Sequence, residues 1–302
     1  MVFVGSYTPD GLAVADHDPS TGALTITSTV AGVSDASWLA LSPDGRHLYA
    51  ANETAAGSVT VLDAKTLAVR EAWPTGGDSP THVSAFGEYL LVAHYGSGDV
   101  TVLRADGQVT CRAPGVHAHQ VGADPSGQWV VTVDLGTDSV DVYRLADGTL
   151  HRHQRVSAGP GPRHLVWHPD GTRAFLVCEY AAQVIVCTWD AGTLTTGAVL
   201  PLAADGYPGE AVVSSDGRFL YVTNRGPNTV DTFELDDLRL VDSVPTGDWP
   251  RHAALDPSER WLYVANQRSG TVTWFPRDPV SGRLSPEVGS MKAEAVAMVL
   301  FG

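Results

Sequence analysis

The chain is poor in lysine. Only Lys65 and Lys292 occur among its 302 residues, so arginine supplies the other 17 of its 19 basic side chains, against 34 acidic ones. A formal net charge of -15 leaves no general basic surface for a duplex or an anionic membrane, both of which are bound by excess Lys and Arg. Cysteine is scarce too. Cys111, Cys178 and Cys187 form neither an even disulfide framework nor paired metal-ligand spacing. No apolar run approaches membrane-spanning length, and Met1-Val-Phe-Val-Gly-Ser lacks the basic segment and long apolar core of a signal peptide. Long helical patterns are missing as well. These absences predict a reduced cytoplasmic protein with no nucleic-acid or membrane partner, and they leave the oligomeric state open between monomer and weak dimer.

What is abundant is turn chemistry: 31 Gly and 19 Pro stand beside 43% hydrophobic and 18% charged residues, the composition of a folded, turn-rich protein. The stretch Gly161 to Tyr180 shows how it is used. Leu165-Val166-Trp167 and Ala174-Phe175-Leu176-Val177-Cys178 flank His168-Pro169-Asp170-Gly171, a hairpin in which Pro presets φ and Gly closes the turn. Antiparallel pairing then sets Arg163 and His164, entering the first strand, beside Glu179, leaving the second.

This hairpin recurs. Its turn anchors, Gly45, Gly87, Gly127, Gly171, Gly217 and Glu259, lie 42, 40, 44, 46 and 42 residues apart. A third alternating run follows each hairpin, as in Val59-Thr-Val-Leu and Val184-Ile-Val-Cys, and a more variable fourth follows in most repeats. Four antiparallel strands at a period in the low forties predict propeller blades. Six repeats are complete. The seventh is split, with Phe3 to Thr8 and Leu12 to Ala15 reading as second and third strands and Ala295 to Leu300 as the missing first. The expectation is all-β: one seven-bladed β-propeller domain over 1–302, four strands per blade, closed by terminal strands sharing a blade.

In such a ring the first strands line a central channel. Aligned on the turn, one column reads Trp38, His82, Gln120, His164, Glu210, His252, and the position before it Ser37, Thr81, His119, Arg163, Gly209, Arg251. The second-strand exit gives Glu53, Tyr95, Leu135, Glu179, Arg225, Gln267. One mouth is therefore rich in His, Arg and Glu. Asn52, Asn224 and Asn266, just before that exit, read as side-chain-to-backbone linkers, and Tyr49, Tyr221 and Tyr263 as core. His119, Arg163, Glu179 and Arg225 come from three successive repeats at one mouth, and arginines around a carboxylate there are costly unless paired or used. They are the candidate catalytic group. His82, His164, Arg251, His252, Glu53 and Tyr95, from the same columns, are the candidate substrate-binding residues.

As an ordered set, Val4-Gly-Ser-Tyr-Thr, Ala51-Asn-Glu53, His94-Tyr-Gly-Ser-Gly98, His117-Ala-His119, Gly161-Pro-Arg-His164, Asn224-Arg-Gly226 and Pro250-Arg-His252 resemble the lactonase family of seven-bladed propellers along the whole chain. The resemblance implies a channel-mouth site for a small anionic lactone, foremost 6-phospho-D-glucono-1,5-lactone, hydrolysed to 6-phosphogluconate. It also implies a catalytic histidine at His119, an arginine and a glutamate at Arg163 and Glu179, and a second arginine at Arg225. The chain departs from the family at the short turn Ala85-Phe-Gly and at His94 and Asp134, which bears on the substrate.

No Gly-x-Ser-x-Gly elbow is present, so direct attack by water, with Glu179 or His119 as base, is expected without cofactor or metal. Arg163 would stabilise the oxyanion, and Arg225, with Arg251 or His252, would hold the substrate's anionic group. Three alternatives use the same sequence. Proton transfer at carbon would make a cycloisomerase acting on a muconate-like carboxylate. Glu53, Glu179, Asp134 and Asn224 would offer oxygen ligands to calcium, and Tyr221-Val-Thr-Asn224 resembles the repeats of non-catalytic binding propellers.

Overall fold

Most of the apolar runs must bury both faces, and they do so by alternation. In the strand Arg173–Cys178, Ala174, Leu176 and Cys178 join one core cluster with Trp129, Val131 and Val140, while Phe175 and Val177 join another with Ala211, Leu220 and Phe233. Side chains two apart share a sheet face, so each sheet contributes to two cores. The computed structural model, which describes residues 1–302, has seven such clusters, each between two neighbouring sheets of a ring.

Seven four-stranded antiparallel sheets make the ring. Blades 1 to 6 run in chain order, covering 36–74, 80–113, 118–157, 162–201, 207–245 and 250–292. Blade 7 takes its innermost strand, Val296–Phe301, from the end of the chain and its outer three, Val2–Ser6, Leu12–His17 and Leu24–Val30, from the beginning. Phe3 pairs with Leu300 and Val4 with Val299, as the split repeat predicts, and closure joins every blade to two neighbours.

The hairpin turns lie at one end of the channel and are held by their own side chains. Asp124 Oδ1 accepts from the backbone N–H groups of Gln128 and Trp129, at 2.9 and 2.8 Å, and Asp256 does the same for Trp261 at 2.9 Å. Glu259 stands where the other turns have glycine and adopts φ of 53°, the left-handed conformation that glycine takes without strain.

At the other end, each innermost strand carries an irregularity that the sequence pattern does not reveal. Pairing is interrupted at the entrance of all seven blades, skipping one inner-strand residue in six of them, for example between Ala118 and Gln120, Pro162 and His164, and Pro250 and His252, and both Gly209 and Glu210 in blade 5. These are β-bulges, which re-aim the inserted side chain. The inserted residues include His119, Arg163 and Arg251. In an unbroken strand they would face away from their successors; the bulge lets two consecutive side chains serve the channel.

Two linker expectations hold, and one is corrected. Asn52 Nδ2 donates to Ser34 O at 2.6 Å and Asn224 Nδ2 to Ala204 O at 2.8 Å. Asn266 instead turns inward, donating to Val264 O and Thr273 Oγ1 and accepting from Thr246 Oγ1. Tyr221 and Tyr263 are fully buried and donate to Gly282 O and Gly22 O, whereas Tyr49 is half-buried against His47.

Candidate active site at the channel mouth

Glu179 begins a 3₁₀ turn, Glu179–Ala181, directly after the strand Arg173–Cys178. Its Oε2 lies 3.2 Å from Arg163 Nε and 2.7 Å from Arg225 Nη2, so one carboxylate oxygen receives two guanidinium groups from different blades. Oε1 makes no hydrogen bond, and the side chain keeps 16% of its surface open.

Arg163 is almost wholly buried, and Nη1 donates to Gly209 O in the next blade. Position 209 itself has no room for a side chain, since a Cβ there would lie 2.7 Å from Thr223 Oγ1 and 2.8 Å from Arg251 O. Burial, with the charges of Arg225 and Arg251, lowers the Arg163 pKa to about 9. Arg225 is more committed still, donating from Nε to Tyr207 O at 2.8 Å and from Nη2 to Pro208 O at 3.0 Å.

Arg251 is the guanidinium left over. It sits 3.9 Å from Glu53 and 5.2 Å from the centre of the Tyr7 ring, and it makes no hydrogen bond. Glu53 in turn accepts from Tyr7 Oη at 2.7 Å. The mouth therefore holds three arginines against two carboxylates, a local positive excess in an acidic protein.

His119 borders this group and is 5% exposed. Its ring lies 6.1 Å from Tyr95, which stacks on His117 at 4.5 Å. Burial and then Arg163 push the His119 pKa well below the usual imidazole value, so the ring is neutral at pH 7. Nδ1 is sealed inside without a partner, and Nε2 is the nitrogen left to face the mouth.

The sequence columns place His82, His164 and His252 on the same rim, but the structure sinks them one layer below it. They surround the Trp38 indole, with ring centres 4.3, 5.2 and 5.5 Å away respectively. This aromatic layer plugs the channel. Beyond it, towards the turns, a largely apolar cavity of about 520 Å³ opens, with Trp38, Gln120, Glu210 and His252 among its lining residues. Burial lowers the pKa of all three sunken histidines, that of His252 to about 4.

Tyr7 was missing from the sequence-based candidates. It follows the second strand of blade 7 as Glu53 follows that of blade 1, so extending the exit column into the split repeat finds it. Of the three departures from the family pattern, two are single side chains: His94 is buried and bonds Thr75 Oγ1 at 2.8 Å, while Asp134 accepts from the N–H groups of Val116, His117, Gly136 and Thr137. Both brace loops behind the mouth. Three of the four residues considered for calcium have a side-chain oxygen engaged separately, Glu53 with Tyr7, Glu179 with the arginines and Asp134 with backbone, while Asn224 is tied to Ala204 O through Nδ2 and its Oδ1 is buried without a partner.

Comparison with known proteins agrees with this architecture. The family described as "Lactonase, 7-bladed beta-propeller" matches residues 1–301. A 6-phosphogluconolactonase of Bacillus subtilis is 30% identical, the match covering 94% of this chain and 93% of that protein. A 6-phosphogluconolactonase of Yersinia pestis is 28% identical over 80% of this chain and 79% of its own length. Among solved structures, the periplasmic gluconolactonase of Pseudomonas aeruginosa superposes with a TM-score of 0.90 at 30% identity, covering 99% of this chain and 98% of its own. From its blade count, its ring closure and these full-length matches, the chain is an enzyme belonging to the lactonase family of seven-bladed β-propellers.

Proposed function

We propose that the mouth hydrolyses an acidic sugar lactone, most specifically 6-phospho-D-glucono-1,5-lactone to 6-phosphogluconate, by direct attack of water. The observation that carries this reading is Glu179, fixed through one oxygen by Arg163 and Arg225 while the other makes no hydrogen bond, with the neutral His119 under the charge of the same two arginines. The names of the Bacillus and Yersinia relatives support the same substrate class.

His119 Nε2 takes a proton from water, the oxygen attacks the lactone carbonyl, and Arg163 stabilises the negative charge that develops there. The proton then passes to the ring oxygen as the C–O bond breaks, giving the open hydroxy acid. Glu179 Oε1 orients the water. Arg225 has its donors on backbone and on Glu179, so it positions the carboxylate, and Arg251, free of hydrogen bonds, grips the phosphate. The three free cysteines support a reducing, cytoplasmic setting.

A panel of phosphorylated and unphosphorylated sugar lactones with muconolactones, followed by pH-stat and absorbance, tests the reading. The phosphorylated sugar lactone is expected to turn over fastest. Turnover of muconolactone alone, or of no lactone, overturns it. Arg251→Ala should raise KM for the phosphorylated lactone about 10- to 100-fold, the worth of one charge-assisted contact, and leave the unphosphorylated lactone nearly unaffected.

A further inference from the structure

Six buried polar atoms of the mouth's histidines and Glu210 lack hydrogen-bond partners; His82 Nδ1 and His252 Nδ1 are two of them, and the other four form one chain of neighbours: Glu210 Oε2, His164 Nδ1, His164 Nε2 and His119 Nδ1. Buried polar groups are nearly always bonded, so four orphans in line call for a reason. Glu210 Oε2 lies 2.7 Å from His164 Nδ1, out of line for a hydrogen bond. The His164 and His119 rings are 5.0 Å apart between centres and inclined at 62°, the spacing at which one imidazole nitrogen can donate to another after a small rotation. Trp38 packs edge-on against His164 and holds it in place. All three residues are at least nine-tenths buried.

We propose that Glu210 and His164 form a positioning relay behind His119, in which His164 Nδ1–H donates to Glu210 Oε2 and His119 Nδ1–H donates to His164 Nε2. All four orphans are then paired. The consequence falls on the fifth atom: with its proton held on Nδ1, His119 presents the Nε2 lone pair to the mouth. The relay rests on the role given to His119 above and names the two residues that enable it. When Nε2 takes a proton from water, the imidazolium charge spreads along the two hydrogen bonds towards the Glu210 carboxylate, and no further proton need move. Burial and three arginines weaken His119 as a base, and a negative charge placed behind it offsets them.

Glu210→Gln reads this directly. Glu210 Oε1 accepts from Ala211 N–H at 3.0 Å, so the glutamine carbonyl occupies that position and its NH₂ turns towards His164. A donor there forces the His164 proton to Nε2 and the His119 proton onto Nε2, which blocks the base. Histidine ¹⁵N–¹H spectra of the wild type at pH 7, with His119 identified by loss of its signals in His119→Gln, should show Nδ1–H forms for both His119 and His164. Glu210→Gln should convert both to Nε2–H and lower kcat about 100-fold or more, with KM within about threefold and a melting temperature equal or higher.

Wild-type His119 protonated on Nε2, or an unchanged tautomer and unchanged kcat in Glu210→Gln, overturns the relay. The wild-type spectrum decides even where the variant does not fold. Failure of the lactonase reading looks different, because the wild type would then turn over no lactone while its tautomers remained as stated. Lactone hydrolysis that depends on His119 but proceeds at full rate in Glu210→Gln sinks the relay alone.

Discussion

His252 illustrates what the buried histidines do to stability. Burial lowers its pKa from 6.5 to about 4, so the folded protein holds it neutral while the unfolded chain takes up a proton below about pH 6.5. Its contribution is therefore present above pH 6.5 and is lost as pH falls towards 4. The amount is on the order of 3 kcal/mol. Glu210 has the opposite sign. Its raised pKa favours folding at acid pH and opposes it as pH rises through the folded value. Urea midpoints should accordingly fall between pH 7 and pH 4.5, and His252→Gln should fall less steeply; parallel pH profiles would contradict the assignment. The residue types at the mouth were legible from the aligned columns. Their depth was not, because period-two alternation cannot say which consecutive side chains a bulge turns the same way.

The elements that set this depth are the bulged entrances and the loops tied behind them. Asn52 is buried, donating to Ser34 O at 2.6 Å and accepting from Thr60 Oγ1 at 2.7 Å, just before Glu53 enters the mouth. Asn52→Ala leaves a buried carbonyl and a buried hydroxyl unpaired and should cost about 2–3 kcal/mol, read as a lower urea midpoint at unchanged slope. A loss below about 0.5 kcal/mol would show that the loop stands without it. Strands, turns and the Asn52 and Asn224 ties could be read from the chain because each has a local signature. Asn266 could not: it occupies the same column, but its amide donates to Val264 and Thr273 within its own blade, and it meets the loop only by accepting from the Thr246 hydroxyl rather than by donating to a loop carbonyl.

At the scale of the molecule, seven cores between seven blades make closure a shared requirement. The strand Val296–Phe301 contributes Val296, Met298 and Val299 to the two cores flanking blade 7. A chain truncated after Glu294 should lose its cooperative urea transition and aggregate, whereas a transition of wild-type sharpness would show that the ring does not need its last strand. Ring closure was visible in the split repeat. The arginine-bridged carboxylate was only half visible, since sequence placed Arg163, Glu179 and Arg225 at one mouth but not on one oxygen. That junction is the centre of the account, and the initial rate of 6-phosphogluconolactone hydrolysis tests it most directly. Glu179→Gln and Arg163→Ala should each abolish turnover while the melting temperature stays close to wild type, and full activity in either variant would contradict the site.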